Sequence, residues 1–303
     1  MSGTGVSQDL RFWDIERQVA GIISYPFNRS SRVELGLGYR TIDFQSEVET
    51  QIYDLNTGAV ISDVTTRGPA DTLPSINLVE GLAATAFDNS IFGGTSPIAG
   101  QRYRIELAPV TGDLQYVGVL ADLRRYQRLF GPLTLAGRAM HYGRYGRDSD
   151  TDRISALFIG YPWMVRGYDS QSFSPNECGE GAATTARRSS NCSAAVRRWG
   201  TSELRMALFG PIGLFPSRAL PPVEVAGFYD AGIAWYDALQ PRFLGGPRTG
   251  VSSYGSTFRI NLLGFAIAEF SLVHPNQRPL KGMYWQFALE PGSRPRPNPA
   301  PAA

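Results

Sequence analysis

Few side chains in this sequence could make or break bonds. The 303 residues hold two histidines, His141 and His274, and two cysteines, Cys178 and Cys192. A metal centre needs three or four His, Cys or carboxylate ligands at short spacings; no such run is present, and no metal is expected. Hydrolysis would require a nucleophile with a base held beside it. His141 next to a serine on a neighbouring strand is the arrangement that would qualify, and a strand-end histidine without a catalytic role accounts for the same residue. The glycines alternate with large residues and form no phosphate-cradling loop, so no cofactor is expected. Cys178 and Cys192 lie within a single loop, with thirteen residues between them. On an oxidising side they would close a disulfide worth about 3 kcal/mol of loop entropy; in a reducing compartment they would be two free thiols.

The elements that must position these groups are strands. The chain has 33 glycines, 12% aromatic residues and only 18% charged residues, with Lys281 the single lysine among 29 basic side chains. That mixture fits closely packed, glycine-relieved strands better than a helical enzyme, and 43% hydrophobic residues rules out general disorder. A net charge of +2 without a basic run excludes a nucleic-acid partner. No stretch of eighteen apolar residues exists, so no helix of this sequence spans a bilayer. A barrel strand escapes that test, because it needs only about nine to eleven residues and shows every second one to lipid. The start, Met1-Ser-Gly-Thr-Gly, has no secretory signal. An exported protein with this sequence is therefore expected to be a piece of a longer precursor.

Period-two alternation runs through the chain. Val33, Leu35, Leu37 and Tyr39 alternate with Arg32, Glu34, two glycines and Arg40; Tyr103, Ile105 and Leu107 alternate with Arg102, Arg104 and Glu106. Val117, Val119, Ala121 and Leu123 oppose Gly118, Asp122 and Arg124, and Leu133, Leu135, Gly137 and Ala139 oppose Thr134, Arg138 and Tyr142. Leu204, Met206 and Leu208 oppose Glu203 and Arg205; Phe258, Ile260 and Leu262 oppose Arg259 and Asn261; Met283, Trp285, Phe287 and Leu289 oppose Tyr284, Gln286 and Ala288. About a dozen such strands are separated by turn clusters such as Thr111-Gly-Asp and Gly131-Pro. A soluble sandwich also alternates, but its polar face would be an open surface of Lys, Thr and Ser. Here arginines and carboxylates face each other strand after strand, as in a wet, ion-paired interior. Tyr25, Tyr145, Trp235 and Trp285 near strand ends suit interfacial girdles. The reading is an all-β chain forming an antiparallel transmembrane β-barrel over 15–292, after a lead-in at 1–14. Residues 45–74 read as strand extensions with a hairpin beyond the membrane, 161–198 as a long loop and 293–303 as a disordered, proline-rich tail.

Inside that loop stands Val165-Arg166-Gly167-Tyr168, preceded by Gly160-Tyr-Pro-Trp-Met. It resembles the V-R-G-[FY] signature of the BamA-type superfamily of outer-membrane insertases and translocators, also called bacterial surface antigen barrels. The strand that follows, Gly200-Thr-Ser-Glu203-Leu-Arg-Met, resembles the family's next strand with its inward glutamate. Ala226-Gly-Phe228-Tyr-Asp230-Ala-Gly232 resembles its F-x-D-x-G strand. Gly255-Ser-Thr-Phe-Arg259, Ala268-Glu269-Phe and Met283-Tyr-Trp-Gln-Phe287 continue the order, and upstream Phe87-Asp88-Asn89 with Gly100-Gln-Arg-Tyr resembles the preceding strand pair. The likeness covers about residues 75–291. The Pro-rich extension after Gly292 departs from the family habit of ending near the last strand's aromatic.

The resemblance implies a sixteen-stranded barrel, here truncated at its N-terminal side to about twelve strands, in the outer membrane of a Gram-negative-type bacterium. It also implies that the loop folds back into the lumen and that Arg166 pairs with Glu203 and Asp230, a planar guanidinium being able to fork between two carboxylates. The plainer alternative leaves Arg166 capping a surface turn, with Glu203 and Asp230 paired to Arg205 and other arginines. The implied activity is protein assembly or translocation at the outer membrane, without a cofactor and without enzymatic chemistry. The implied partners are outer-membrane lipid, unfolded client proteins and a periplasmic domain upstream of this chain. A membrane anchor for that lost domain, a passive porin and an outer-membrane hydrolase are the other classes the sequence leaves open.

Overall fold

The computed structural model describes residues 3–69, 74–151, 153–154, 164–169, 196–217, 220–235, 242, 245–246, 250–278 and 281–291. These form one 14-stranded sheet. In chain order the strands are β1 (Thr4–Pro26), β2 (Ser31–Asp54), β3 (Val60–Pro69), β4 (Ile76–Asp88), β5 (Ile91–Phe92), β6 (Pro97–Gly112) and β7 (Tyr116–Phe130). They continue as β8 (Leu133–Tyr145), β9 (Val196–Gly210), β10 (Phe215–Pro216), β11 (Val223–Ala234), β12 (Val251–Leu262), β13 (Ala266–Pro275) and β14 (Tyr284–Pro291). Eleven strands make a continuous antiparallel meander, β1-β2-β4-β6-β7-β8-β9-β11-β12-β13-β14, while β3, β5 and β10 attach to β2, β6 and β9. The expected dozen is thus eleven long strands and three accessory ones among the described residues. No pairing joins β1 to β14 there, so the sheet is not closed upon itself.

Each ladder follows from the alternation. Leu37 lies opposite Gly81, Ile105 opposite Ala121, Leu135 opposite Leu204 and Phe270 opposite Phe287, so apolar residues line up across strands on one face. Phe87 stacks on Tyr103 with ring centroids 5.2 Å apart, and Phe270 meets Phe287 at 5.0 Å. These cross-strand pairs are the unit of sheet stability. The face is nevertheless open: Leu37, Leu107, Leu123, Leu204, Trp285 and Phe287 are all exposed. An apolar belt of that extent requires an apolar neighbour.

The opposite face turns inward and is charged, and its charges are matched. Arg104 bridges Glu34 at 2.6 Å and Glu106 at 2.8 Å, while Asp122 holds Arg124 at 2.6 Å and Arg138 at 2.8 Å. Burial of ions is tolerable only with such pairing. Gly255 sits on this inner face of β12, where an added Cβ would collide with the Leu272 carbonyl oxygen and lie 2.9 Å from Phe228 Cζ. Gly255→Ala is therefore expected to displace the β12–β13 ladder and lower stability by about 2–3 kcal/mol. Gly227→Ala, facing open space on β11, should be close to neutral. Urea unfolding of both variants in detergent micelles checks the contrast; equal midpoints would refute it.

Two expectations change. Residues 4–14, read as a lead-in, belong to β1 and pair with residues 44–54 of β2. Trp235, read as a girdle residue, is buried with 4% exposure at the end of β11, whereas Tyr25, Tyr145 and Trp285 are exposed. The extension at 45–74 does form: β2 continues to Asp54, whose Oδ1 accepts the Asn56 and Thr57 N–H groups, and β3 returns antiparallel. Along this extension the faces exchange character. In β1 and β2 the outer parity is apolar from Val19 to Tyr25 and from Val33 to Tyr39. Beyond Arg17, which pairs with Asp43, it carries Arg11, Glu47 and Glu49, and the inner parity carries Val6, Leu10 and Phe12. The tail at 293–303 lies outside the described residues.

Candidate functional site

Of the five strands after the long loop, β9, β11, β12 and β13 converge on one arginine, and β14 reaches the residues beside it. Alternation places Glu203 of β9, Asp230 of β11, Thr257 of β12 and Glu269 of β13 on the inner face, and the ladder registers bring them side by side: Phe228 faces Glu203, Thr257 faces Ser271 and Arg259 faces Glu269. The loop segment Met164–Asp169 lies against them. Arg166 Nε is 2.7 Å and Nη2 2.8 Å from the two oxygens of Asp230, a bidentate fork, and the Arg166 N–H donates to the same carboxylate at 3.2 Å. Nη2 also reaches Glu203 at 2.9 Å, and Nη1 donates to Thr257 Oγ1 at 3.2 Å, with Glu269 at 3.8 Å. The guanidinium carbon stands 3.5 Å over the Phe228 ring, a cation–π contact whose strength grows with desolvation. Asp230 is fully buried and Arg166 is 7% exposed. A surface turn-cap, the alternative reading of Arg166, does not describe this position.

The neighbours of Arg166 hold it there. Val165 is fully buried in a cluster with Met140, Met164, Tyr168 and Ala234. Gly167 has φ +93°, and a Cβ there would come within 3.0 Å of Val273 Cγ1 and 3.2 Å of Pro275 Cβ. The position demands glycine for both backbone and space. Its carbonyl accepts from Arg278 Nη1 at 2.8 Å and its N–H donates to Gln286 Oε1 at 3.2 Å. The Tyr168 hydroxyl is 2.9 Å from the Ser252 carbonyl oxygen and accepts the Gln277 N–H at 3.2 Å. Gln286 also donates to Asp169. Four consecutive residues thus tie the loop to all five strands. Nearer the start of the loop, Asp148 accepts the Gln115 N–H at 2.7 Å. That backbone bond is the chief reason its carboxyl stays below the usual aspartate range.

A second guanidinium extends the network. Arg259 bonds Glu269 through Nε at 2.7 Å, Glu224 through Nη1 at 2.9 Å and Glu203 through Nη2 at 3.1 Å. Arg205 adds a 2.7 Å bond to Glu203. The sequence reading put Arg259 and Gln286 on the inner face but gave them no role here, and it assigned Thr257 and Glu269 to no face. It did not single out Gln277 or Arg278, whose turn after β13 carries no periodic signal. Their parities were the available signal; their convergence depends on register, which no local pattern encodes.

The remaining candidates lie elsewhere. His141 is on the outer face, 2.7 Å from the Tyr145 hydroxyl and opposite Ala121, and the His274 ring packs 5.1 Å from that of Tyr254. Neither contact involves a serine. Cys178 and Cys192 lie outside the described residues. Among the described residues no His, Cys and carboxylate side chains are grouped to hold a metal ion. The arrangement is built to fix a loop inside a strand wall, with each carboxylate engaged by a guanidinium.

No protein-family model matches the chain, and no curated protein matches it. Among solved structures it is similar over 92% of its length to the crystal structure of BamA from Haemophilus ducreyi lacking POTRA domains 1-3, with a TM-score of 0.57 and 14% sequence identity. The chain spans 55% of that chain. At this identity the likeness is one of fold: an all-β, antiparallel, BamA-like barrel architecture.

Proposed function

We propose that this chain is the barrel of an outer-membrane protein of the BamA type, acting in assembly or translocation of other proteins rather than as an enzyme. The observation that carries the reading is the Val165–Tyr168 segment seated in the interior, with Arg166 forked onto Asp230 and held to five successive strands. The exposed apolar belt supports hydrocarbon as the outer environment, and the paired inner charges support a polar, ion-paired interior. In this reading the loop plugs the lumen, clients engage the sheet at its free edges, and no cofactor takes part. A loop locked into the interior also speaks against a passive porin, for which such a lock has no use.

The test is reconstitution of the chain into liposomes, followed by the folding rate of a urea-denatured outer-membrane barrel added from outside. An assembly barrel should accelerate folding several-fold over empty liposomes, and Arg166→Ala should remove the gain. Heat-dependent gel mobility shows in parallel that the chain itself has folded. A folded chain that gives no acceleration would sink the assembly reading and leave an anchor for a periplasmic domain. Large, steady conductance in planar bilayers would instead favour the porin.

A further inference from the structure

We infer that the interior is stoppered from both ends, and that the turn Gly93-Gly94-Thr95-Ser96 is the second stopper, coupled to the Arg166 loop through Glu224, Arg259 and Glu203. The inference holds whatever the barrel transports, and its test reads no transport.

The turn joins β5 to its neighbour β6, yet its bonds reach β11 and β12 across the interior. Ser96 Oγ donates to Glu224 Oε2 at 2.5 Å and Thr95 Oγ1 to the same oxygen at 3.2 Å. The Asn261 side-chain amide donates to the Gly94 carbonyl. Thr95, Ser96 and Glu224 are all buried. The fold of the turn explains the reach: Gly93 N–H donates to the Ser96 carbonyl at 2.8 Å, and Gly94, at φ +115°, packs where a Cβ would stand 3.1 Å from Pro222 Cβ. From Glu224 the chain of contacts runs to Arg259 at 2.9 Å, on to Glu203 at 3.1 Å, and from there to Arg166 at 2.9 Å. Glu224 and Asp230 are six residues apart on β11, so their backbones lie about 20 Å apart at ~3.3 Å per residue, and the long side chains of the ion pairs bridge that span.

Charge count gives the turn its task. Among the described residues, Arg166, Arg205 and Arg259 face Glu203, Glu224, Asp230 and Glu269, three guanidiniums to four carboxylates. The hydroxyls of Thr95 and Ser96 serve that surplus and shut the turn end to water, which keeps the pairs around Arg166 in a dry, strongly interacting setting.

The test uses the full chain in detergent micelles and residue-resolved amide hydrogen exchange. Ser96→Ala should speed exchange of the Arg166 and Gly167 amides about ten-fold, while Ser96→Thr, which keeps a hydroxyl, stays near wild type. Reciprocally, Arg166→Lys should speed exchange at Gly93, whose N–H closes the turn. Leu214→Ala, in an exposed turn at the same end, should change neither. Unchanged exchange at Arg166 in Ser96→Ala, or at Gly93 in Arg166→Lys, would overturn the coupling. So would an equal rise in Leu214→Ala, which would mark general loosening. Should Ser96→Ala not fold, the Arg166→Lys arm decides alone.

Discussion

Arg166→Ala is expected to lower folding stability by about 3–5 kcal/mol, the range for removing one partner of a buried ion pair. The variant takes the bidentate guanidinium away from Asp230, which is fully buried, and spares the bond from the backbone N–H of residue 166. Glu203 keeps Arg205 and Arg259, so the loss concentrates on one carboxylate. The released loop also gives up the Phe228 face, and proteases should cut between 155 and 195 far faster. Arg166→Lys restores the charge but not the fork, because one ammonium cannot lie along both oxygens of Asp230 and also reach Glu203. It should fall between wild type and alanine. Urea titration in micelles, read by heat-dependent gel mobility, measures all three; identical midpoints for wild type and Arg166→Ala would show that the interior does not depend on the loop.

Arg259→Met should be at least as damaging, although Arg259 lies on a strand and its bonds go to Glu203, Glu224 and Glu269 on other strands. Methionine fills much of the volume but leaves Glu203, Glu224 and Glu269 without their shared guanidinium. Three buried carboxylates and the part-buried Glu269 would then face Arg166 and Arg205. The expected loss is about 4–5 kcal/mol, the upper part of the range for an uncompensated buried charge. Charge arithmetic supplies the check: Glu269→Gln should weaken the wild type, where Arg259 bonds that carboxylate, yet partly rescue Arg259→Met, because there it removes one of the negative charges left without that guanidinium. A double variant no better than Arg259→Met would mean that geometry, and not charge balance, sets the demand.

Much of this was legible before any coordinates. Strict alternation in segments such as 102–107, 117–124 and 133–142 gave strand, face and polarity together, since a two-residue period leaves a side chain only two choices. Glu203 and Asp230 fell on the inner face for that reason, and the Val-Arg-Gly-Tyr run marked the loop. The hub at Arg259 stayed hidden because a parity says which way a side chain points, not which strands stand across from it. The reach of Thr95 and Ser96 to Glu224 was hidden more deeply, for it joins residues 128 positions apart through a turn with no period at all. Residues 4–14 were misread for a different reason. There Val6, Leu10 and Phe12 take the parity that lower on the same strand belongs to Gln18 and Glu16, and a search for one unbroken apolar stripe stops at the exchange.

On the membrane reading proposed above, that exchange sets a waterline. A sheet can sink into hydrocarbon only as far as its outward residues tolerate it, and on β2 those run from Val33 to Tyr39 before Asp43 and its partner Arg17 intervene. Counting Arg32 to Arg40, the immersed height is roughly 20 Å at ~3.3 Å per residue and a tilt of about 40°. The remaining length of β1, β2 and β3 must then stand clear of the bilayer as a three-stranded fin, charged on the side toward open water and greasy on the side that overhangs the mouth.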